Sequence, residues 1–357
     1  MSSDGHNLDS PKNDSNDGRW HFDLHPDVER HSPHSALHFG SFIHPTHATL
    51  ASPEHRLNWT SRDHRKHRHM AADPKSGKPR YRAGTLQKIA NMRKIEYWNI
   101  SWWVSILFTV GSIVWVVNGF IAFLPFVNTH VAKDDTGNGW TAWLGATIFE
   151  FGALMGLWEA WNRGDASDFG WNIKLLAHGE SPRDAENAEN STPEAEKPSA
   201  APKRQKWIWF STDGKYFHEM GFLAAFVQYW AATIFWISGF TAIPTVQTAI
   251  MNNQPLWDGV FWSPQVIGGC GFIIASAIMM IETQKKWYIP APTSLGWHVG
   301  LWNLLGGVGF ALCGAFGYGL NSSTKIAYQS SCSTFWGGWS FLIGSVIQWY
   351  EAVNPVQ

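Results

Sequence analysis

Carboxylates are the residues with the clearest chemical potential in this chain. Glu159, Glu282 and Glu351 each close an apolar stretch, and each is the last residue of the pattern G-x6-[GA]-[AS]-x5-E. The members of the pattern are Gly145, Gly152 and Ala153 before Glu159; Gly268, Ala275 and Ser276 before Glu282; Gly337, Gly344 and Ser345 before Glu351. If each stretch is a helix, its closing carboxylate faces the negative end of the helix dipole, disfavoured by ~0.3–1 kcal/mol. Three recurrences of an unfavourable placement call for compensating partners. In an antiparallel hairpin the neighbouring helix start offers Arg93 and Lys94, Lys215, and His298, which makes cross-hairpin ion pairs or hydrogen bonds the favoured expectation. A vestibule of three carboxylates that attracts a cation is the alternative.

Glu150 is a separate case. It lies midway along an apolar stretch where the aligned positions are Ile273 and Leu342. An ionisable group at that depth is costly and is by default a functional hypothesis. One reading is a neutral Glu150 hydrogen-bonded between helices, with Thr147, Gln228, Tyr229 and Asn303 as candidate partners. The other is proton- or ion-coupled transport through it. Histidine is the third group. Twelve of the 16 histidines lie within the first 70 residues, among them His64, His67 and His69. Imidazoles at such spacing can hold Zn²⁺ or Cu²⁺, although a tail without Cys is a weak frame for a specific metal site. There is no nucleophile elbow, HExxH, phosphate loop or DxxD-like metal cluster in the apolar segments. No enzyme and no cofactor is expected.

The elements that must position these residues are legible from charge. The stretches 98–160 and 218–353 hold only 12 of the 55 Asp, Glu, Lys and Arg. A water-soluble domain cannot expose that much uncharged surface, so the near-neutral average, with formal net charge −1, conceals a membrane protein. The same average gives no reason to expect nucleic acid as a partner. Six segments approach the ~20 residues that cross a hydrocarbon core, at about 100–124, 140–161, 220–243, 260–283, 295–318 and 334–352. Trp98, Trp102, Trp103, Trp140, Trp161, Trp287, Trp297 and Trp349 cluster near their ends, as an interfacial aromatic belt does.

The expected fold is therefore an all-α membrane protein of six transmembrane helices arranged as three tandem hairpins. Its units are a disordered His-rich and basic tail at 1–95, hairpin 1 at 96–162, a partly disordered linker at 163–217, hairpin 2 at 218–286, and hairpin 3 with a short C-terminus at 287–357. No cleavable signal peptide is recognised. Lys and Arg crowd the segment before the first helix, the 162–217 loop, and Lys285 and Lys286, while the alternate loops are nearly free of them. The positive-inside rule then predicts both termini in the cytosol, in a plasma membrane or endomembrane. Of the N-x-[ST] acceptors only Asn321 falls on the lumenal side, which makes it the glycosylation candidate. The expected partners are the bilayer, anionic lipid at the basic segment 75–94, and other membrane proteins or a further copy of the chain.

The small residues of the pattern recur at intervals of seven and share a helix face, a packing seam in which backbones approach closely. The odd-numbered segments match more loosely, as GSIVWVVNGF (111–120), AATIFWISGF (231–240) and GVGFALCGAF (307–316). With these pairs in view, the hairpins resemble the YrhK-type two-helix membrane domain, whose helices both carry a Gly-Ser-like pair. Gly111-Ser112 and Gly344-Ser345 match it outright; Gly152-Ala153 and Ala275-Ser276 match approximately. The region 98–353 is also similar to a group of uncharacterised fungal integral membrane proteins, departing from them at Gly309 and Cys313. The resemblance implies a fold and no activity. The expected function is structural, scaffolding or membrane-organising, and the alternative is a small transporter or channel that uses Glu150.

Overall fold

The computed structural model describes residues 29–34, 36–37, 42–51, 56–66, 84–162 and 207–354. The linker at 163–206 and most of the expected tail fall outside them. Within 1–95, the described parts form short elements. β1 (Glu29–His34), β2 (His47–Ala51) and β3 (Arg56–Thr60) make an antiparallel sheet in that order. The last strand runs directly into a short helix, α1 (Ser61–Arg65), capped by the Thr60 hydroxyl, which accepts from the Asp63 amide at 3.1 Å. A second short helix, α2 (Thr85–Asn91), docks through Asn91, whose amide donates to Asn354 at 3.0 Å. The expectation of a disordered tail thus meets folded pieces at 56–66 and 84–91.

Six long helices make the body: α3 (Ile100–Val127), α4 (Asp135–Trp161), α5 (Met220–Thr241), α7 (Gln254–Thr283), α8 (Leu295–Gly317) and α9 (Thr324–Ala352). A short helix, α6 (Pro244–Ile250), precedes α7, and α7 passes through a π turn at Asp258–Trp262. Asn99, Asp134 and Ser323 cap α3, α4 and α9 by accepting from first-turn amides, as expected of such residues. Among the described residues four helices, α3, α5, α7 and α8, are long and apolar enough to cross a membrane. Large apolar side chains such as Ile113, Phe151, Ile237, Ile267, Leu312 and Ile343 point outward from the bundle, which suits lipid and not water.

Helix α9 begins about ten residues before its apolar stretch. Its first turns are polar in sequence; Thr324, Lys325 and Gln329 are exposed, whereas Ser330 and Thr334 are buried and bond to Cys313 on α8. A hydropathy window reads those residues as loop; helix packing satisfies them.

Each long helix packs on the one before and the one after, and α9 returns to pack on α3, which closes a ring. Each of the six long helices contributes an aromatic ring to the centre. Trp115, Phe235 and Phe310, from α3, α5 and α8, touch one another with centroids 4.8–5.6 Å apart. Phe149, Phe272 and Phe341, from α4, α7 and α9, form a second triangle at 5.4–6.4 Å. Contacts such as Phe310–Phe341, at 5.1 Å, join the two layers. Close approach of the backbones is what lets the rings meet: a Cβ on Gly145 would lie 2.8 Å from the Trp115 indole nitrogen, and one on Gly268 2.6 Å from Phe235 Cβ. On α9, Gly337 abuts Phe310 in the same way.

These layers revise the alignment of the odd helices. Phe310, not Ala311, shares a layer with Trp115 and Phe235, so α8 must be shifted by one residue. In the shifted register Asn118, Ser238 and Cys313 become equivalent. All three are buried and hydrogen-bonded to a neighbouring helix or its entrance, Asn118 to Asn138, Ser238 to Gln265 and Cys313 to Thr334. Cys313 is therefore the counterpart of two polar residues in the other odd helices.

Candidate functional site: a cationic turn on three carboxylates

The three closing carboxylates lie together at one end of the ring, and all are buried. Their partners come from α1 and the residue that follows it. Arg62 meets Glu351 side-on, Nε to Oε1 at 2.9 Å and Nη2 to Oε2 at 2.7 Å. Arg65 meets Glu282 through both terminal nitrogens, at 2.6 and 3.0 Å. Lys66 Nζ stands 3.4 Å from Glu159. Ser61 adds a hydroxyl bond to Glu282 at 2.9 Å, and Ser101 donates to Glu159 at 2.7 Å. The cations fall at i, i+3 and i+4, which places them on one side of a helical turn. Backbone bonds hold that turn in place: the Ser61 amide donates to Thr46 at 2.9 Å, and the His44 amide to His218, just before α5, at 2.8 Å.

Burial is the largest influence on all three cations and opposes their charge. For Arg62 the pull of Glu351, Glu282 and Glu159 outweighs it and lifts the guanidinium above the ordinary arginine value. Arg65 is raised in the same manner, chiefly by Glu282. For Lys66 burial prevails over Glu159, and its ammonium is held below the usual lysine range. The difference follows from geometry, because each guanidinium makes two bonds to its carboxylate whereas Lys66 Nζ makes no hydrogen bond within range.

Glycines shape the seats. A Cβ on Gly221, at the start of α5, would collide with the Arg65 guanidinium; one on Gly296, at the start of α8, would collide with Arg62 Nε. Both lie fourteen positions before the core aromatics Phe235 and Phe310. The matching position on α3, fourteen before Trp115, is Ser101. There the hydroxyl takes the space and the cation is the slimmer Lys66. Beneath the turn, between it and the aromatic layers, is a cavity of about 40 Å³ lined by Lys66, Glu159, Gln228, Met279 and Gln348 among others. Its lining mixes these polar groups with apolar ones such as Val104, Phe108 and Ala224, and it is large enough for a few waters.

The partners expected from sequence are corrected here. Lys215 pairs with Asp213 at 2.9 Å on the surface, His298 bonds to the Pro292 carbonyl at 2.8 Å, and Arg93 and Lys94 are exposed. Residues distant in sequence took their place, because a turn carrying three cations neutralises all three carboxylates at once. Glu150 accepts from Thr233 at 2.9 Å, and its other oxygen is buried without a partner. Thr147 bonds to Trp236 at 3.0 Å. Gln228 lines the cavity, and Asn303 sits against Gly344 on α9; neither is joined to Glu150. Among the pattern's small residues, Gly152 meets Phe108 and Ala275 is fully buried. Among the described residues no group of His, Cys, Asp or Glu could hold a metal; His67 and His69 lie outside them.

Sequence reasoning missed Arg62, Arg65, Lys66, Ser101, Gly221 and Gly296. It also left the core Phe out of the repeat pattern, though Phe149, Phe272 and Phe341 stand four positions after the first Gly in every copy. The available signal for the cations was R-x-x-R-K, three charges on one side of a turn. No protein-family model, no curated protein and no solved structure matches this chain.

Proposed function

We propose that the chain crosses the membrane six times as three tandem hairpins of YrhK-like type, with both termini cytosolic, and that its role is structural or membrane-organising. The observation that carries this reading is the filled centre: six aromatic rings occupy the axis in two packed layers, so no conduit runs along it. The arrangement of Lys and Arg supports the orientation, and it places the carboxylate end at the cytosolic face. The basic segment 75–94 then lies where anionic lipid headgroups are. Other membrane proteins or a second copy of the chain are the partners that the outward apolar belt suits; nucleic acid is not one.

A second reading, proton or cation transport through Glu150, draws on the unpartnered oxygen of that carboxylate. One experiment separates the two. Proteoliposomes with the wild-type chain should show no proton or monovalent-cation flux above empty vesicles. Flux that disappears in Glu150→Gln, with folding intact, would replace the structural reading by transport.

A further inference from the structure

We propose that the carboxylate end of the bundle is a binding site for a basic helical turn carrying two guanidinium groups and an ammonium, and that segment 56–66 is its resident, exchangeable occupant. The site is more than a group of acids. Two of its three seats are cut to the guanidinium by glycine: Gly221 leaves room for Arg65 and Gly296 for Arg62, and a single added carbon would force either arginine to shift. The third is narrowed by Ser101, which occupies one side of Glu159. Each seat therefore has its own size as well as its charge.

A second observation points to the ligand independently of the acids. The Lys66 side chain is 2% exposed, lines the cavity, and makes no hydrogen bond, its ion pair with Glu159 being the long one of the three at 3.4 Å. This seat is only partly satisfied, whereas the arginine seats are bidentate. Binding of the turn is thus carried by positions 62 and 65 and is imperfect at 66, which is how an occupant that leaves and returns differs from a permanent core element.

The occupant's attachment also fits exchange. Its attachments include three side-chain ion pairs, Ser61, the pairing of β3 with β2 and the Ser61–Thr46 backbone bond. The aromatic core lies below it and includes no residue of α1. An occupant that displaces it must bring matching charge, because three buried carboxylates left without cations are strongly disfavoured. This sets the ligand: segment 56–66 of a further copy of this chain, whose Arg-x-x-Arg-Lys turn carries the matching cations.

The test uses the full-length chain in detergent micelles and a fluorescein-labelled synthetic peptide of residues 56–66. Arg62→Ala/Arg65→Ala vacates the seats, and the peptide should bind this variant at least tenfold more tightly than wild type. Adding Glu282→Gln and Glu351→Gln should remove that gain. Equal binding to wild type and variant, or equal binding of a scrambled peptide, would overturn the proposal. Should the vacated variant fail to fold, the wild-type background decides. With Ser61→Cys, maleimide labelling at position 61, read by mass spectrometry, should accelerate about tenfold in excess peptide 56–66 and not in scrambled peptide. An unchanged rate there overturns the proposal as well.

Discussion

Arg65 and Glu282 stand 217 residues apart in the chain and meet through two hydrogen bonds of 2.6 and 3.0 Å, both side chains nearly closed to solvent. A buried pair of this kind gains little over well-packed apolar residues, yet breaking it by removing one partner leaves an uncompensated charge. Its role is to fix where α1 sits. The Arg62–Glu351 pair does the same at the end of α9.

Removing either member of an arginine pair should therefore be costly. Arg65→Ala or Glu282→Ala is expected to lose about 3–5 kcal/mol of stability, read as a lowered midpoint in denaturant titration of the solubilised protein. Arg65→Met with Glu282→Leu should recover most of it. Lys66→Met should cost clearly less than Arg65→Ala, because its ion pair is longer and lacks a hydrogen bond. Equal losses at 65 and 66 would contradict this account of the seats.

The aromatic centre should be the most sensitive part of the bundle. Phe310 is fully buried, stacked on Phe235 with centroids 5.1 Å apart, and in contact with Trp115 and Phe341. Phe310→Ala opens a cavity where three helices meet and should cost about 3–5 kcal/mol. Trp115→Phe should be far milder, since the Trp115 indole N–H has no partner to lose. Thermal unfolding followed by near-ultraviolet circular dichroism compares the two.

Lys66 supplies a pH dependence whose sign follows from linkage. Burial holds its docked pKa below the ordinary lysine value of about 10.4. Between those two values the released turn binds more protons than the docked turn, so docking strengthens as pH rises through the window and weakens as pH falls through the docked value. The maleimide labelling rate at Ser61→Cys, corrected for thiol ionisation with a model thiol, should fall with rising pH there. Lys66→Met should flatten that slope.

Glycosylation reports the orientation. Asn321 is exposed between α8 and α9, with its side-chain amide 3.4 Å from Gln254. Expressed in a eukaryotic host, the chain should carry at most one glycan, removed by endoglycosidase and absent in Asn321→Gln. A glycan that survives Asn321→Gln would place the carboxylate end on the lumenal side and reverse the proposed topology.

The sequence by itself determined the helices and the spacing of the small residues. Both are local properties: an apolar run of fixed length, and Gly or Ala recurring on one helix face, can be read without knowing what lies opposite. The same locality exposed the anomaly of Glu159, Glu282 and Glu351, acids at the wrong end of a helix dipole. It could not name their partners. Arg93, Lys94, Lys215 and His298 stood at the starts of the neighbouring helices, but which cation reaches a buried carboxylate depends on shape, and Gly221 and Gly296 opened space for a turn more than two hundred residues away from Glu282 and Glu351. Only the tertiary structure decided the one-residue register of α8, because ring-to-ring packing of Phe310 distinguishes it from Ala311 while hydropathy does not. It also decided the place of Glu150, since a carboxylate's surroundings are set by the helix across from it, here Thr233 on α5. Pairing between distant segments is settled by desolvation and close packing, which depend on what lies across the fold and not on neighbours along the chain.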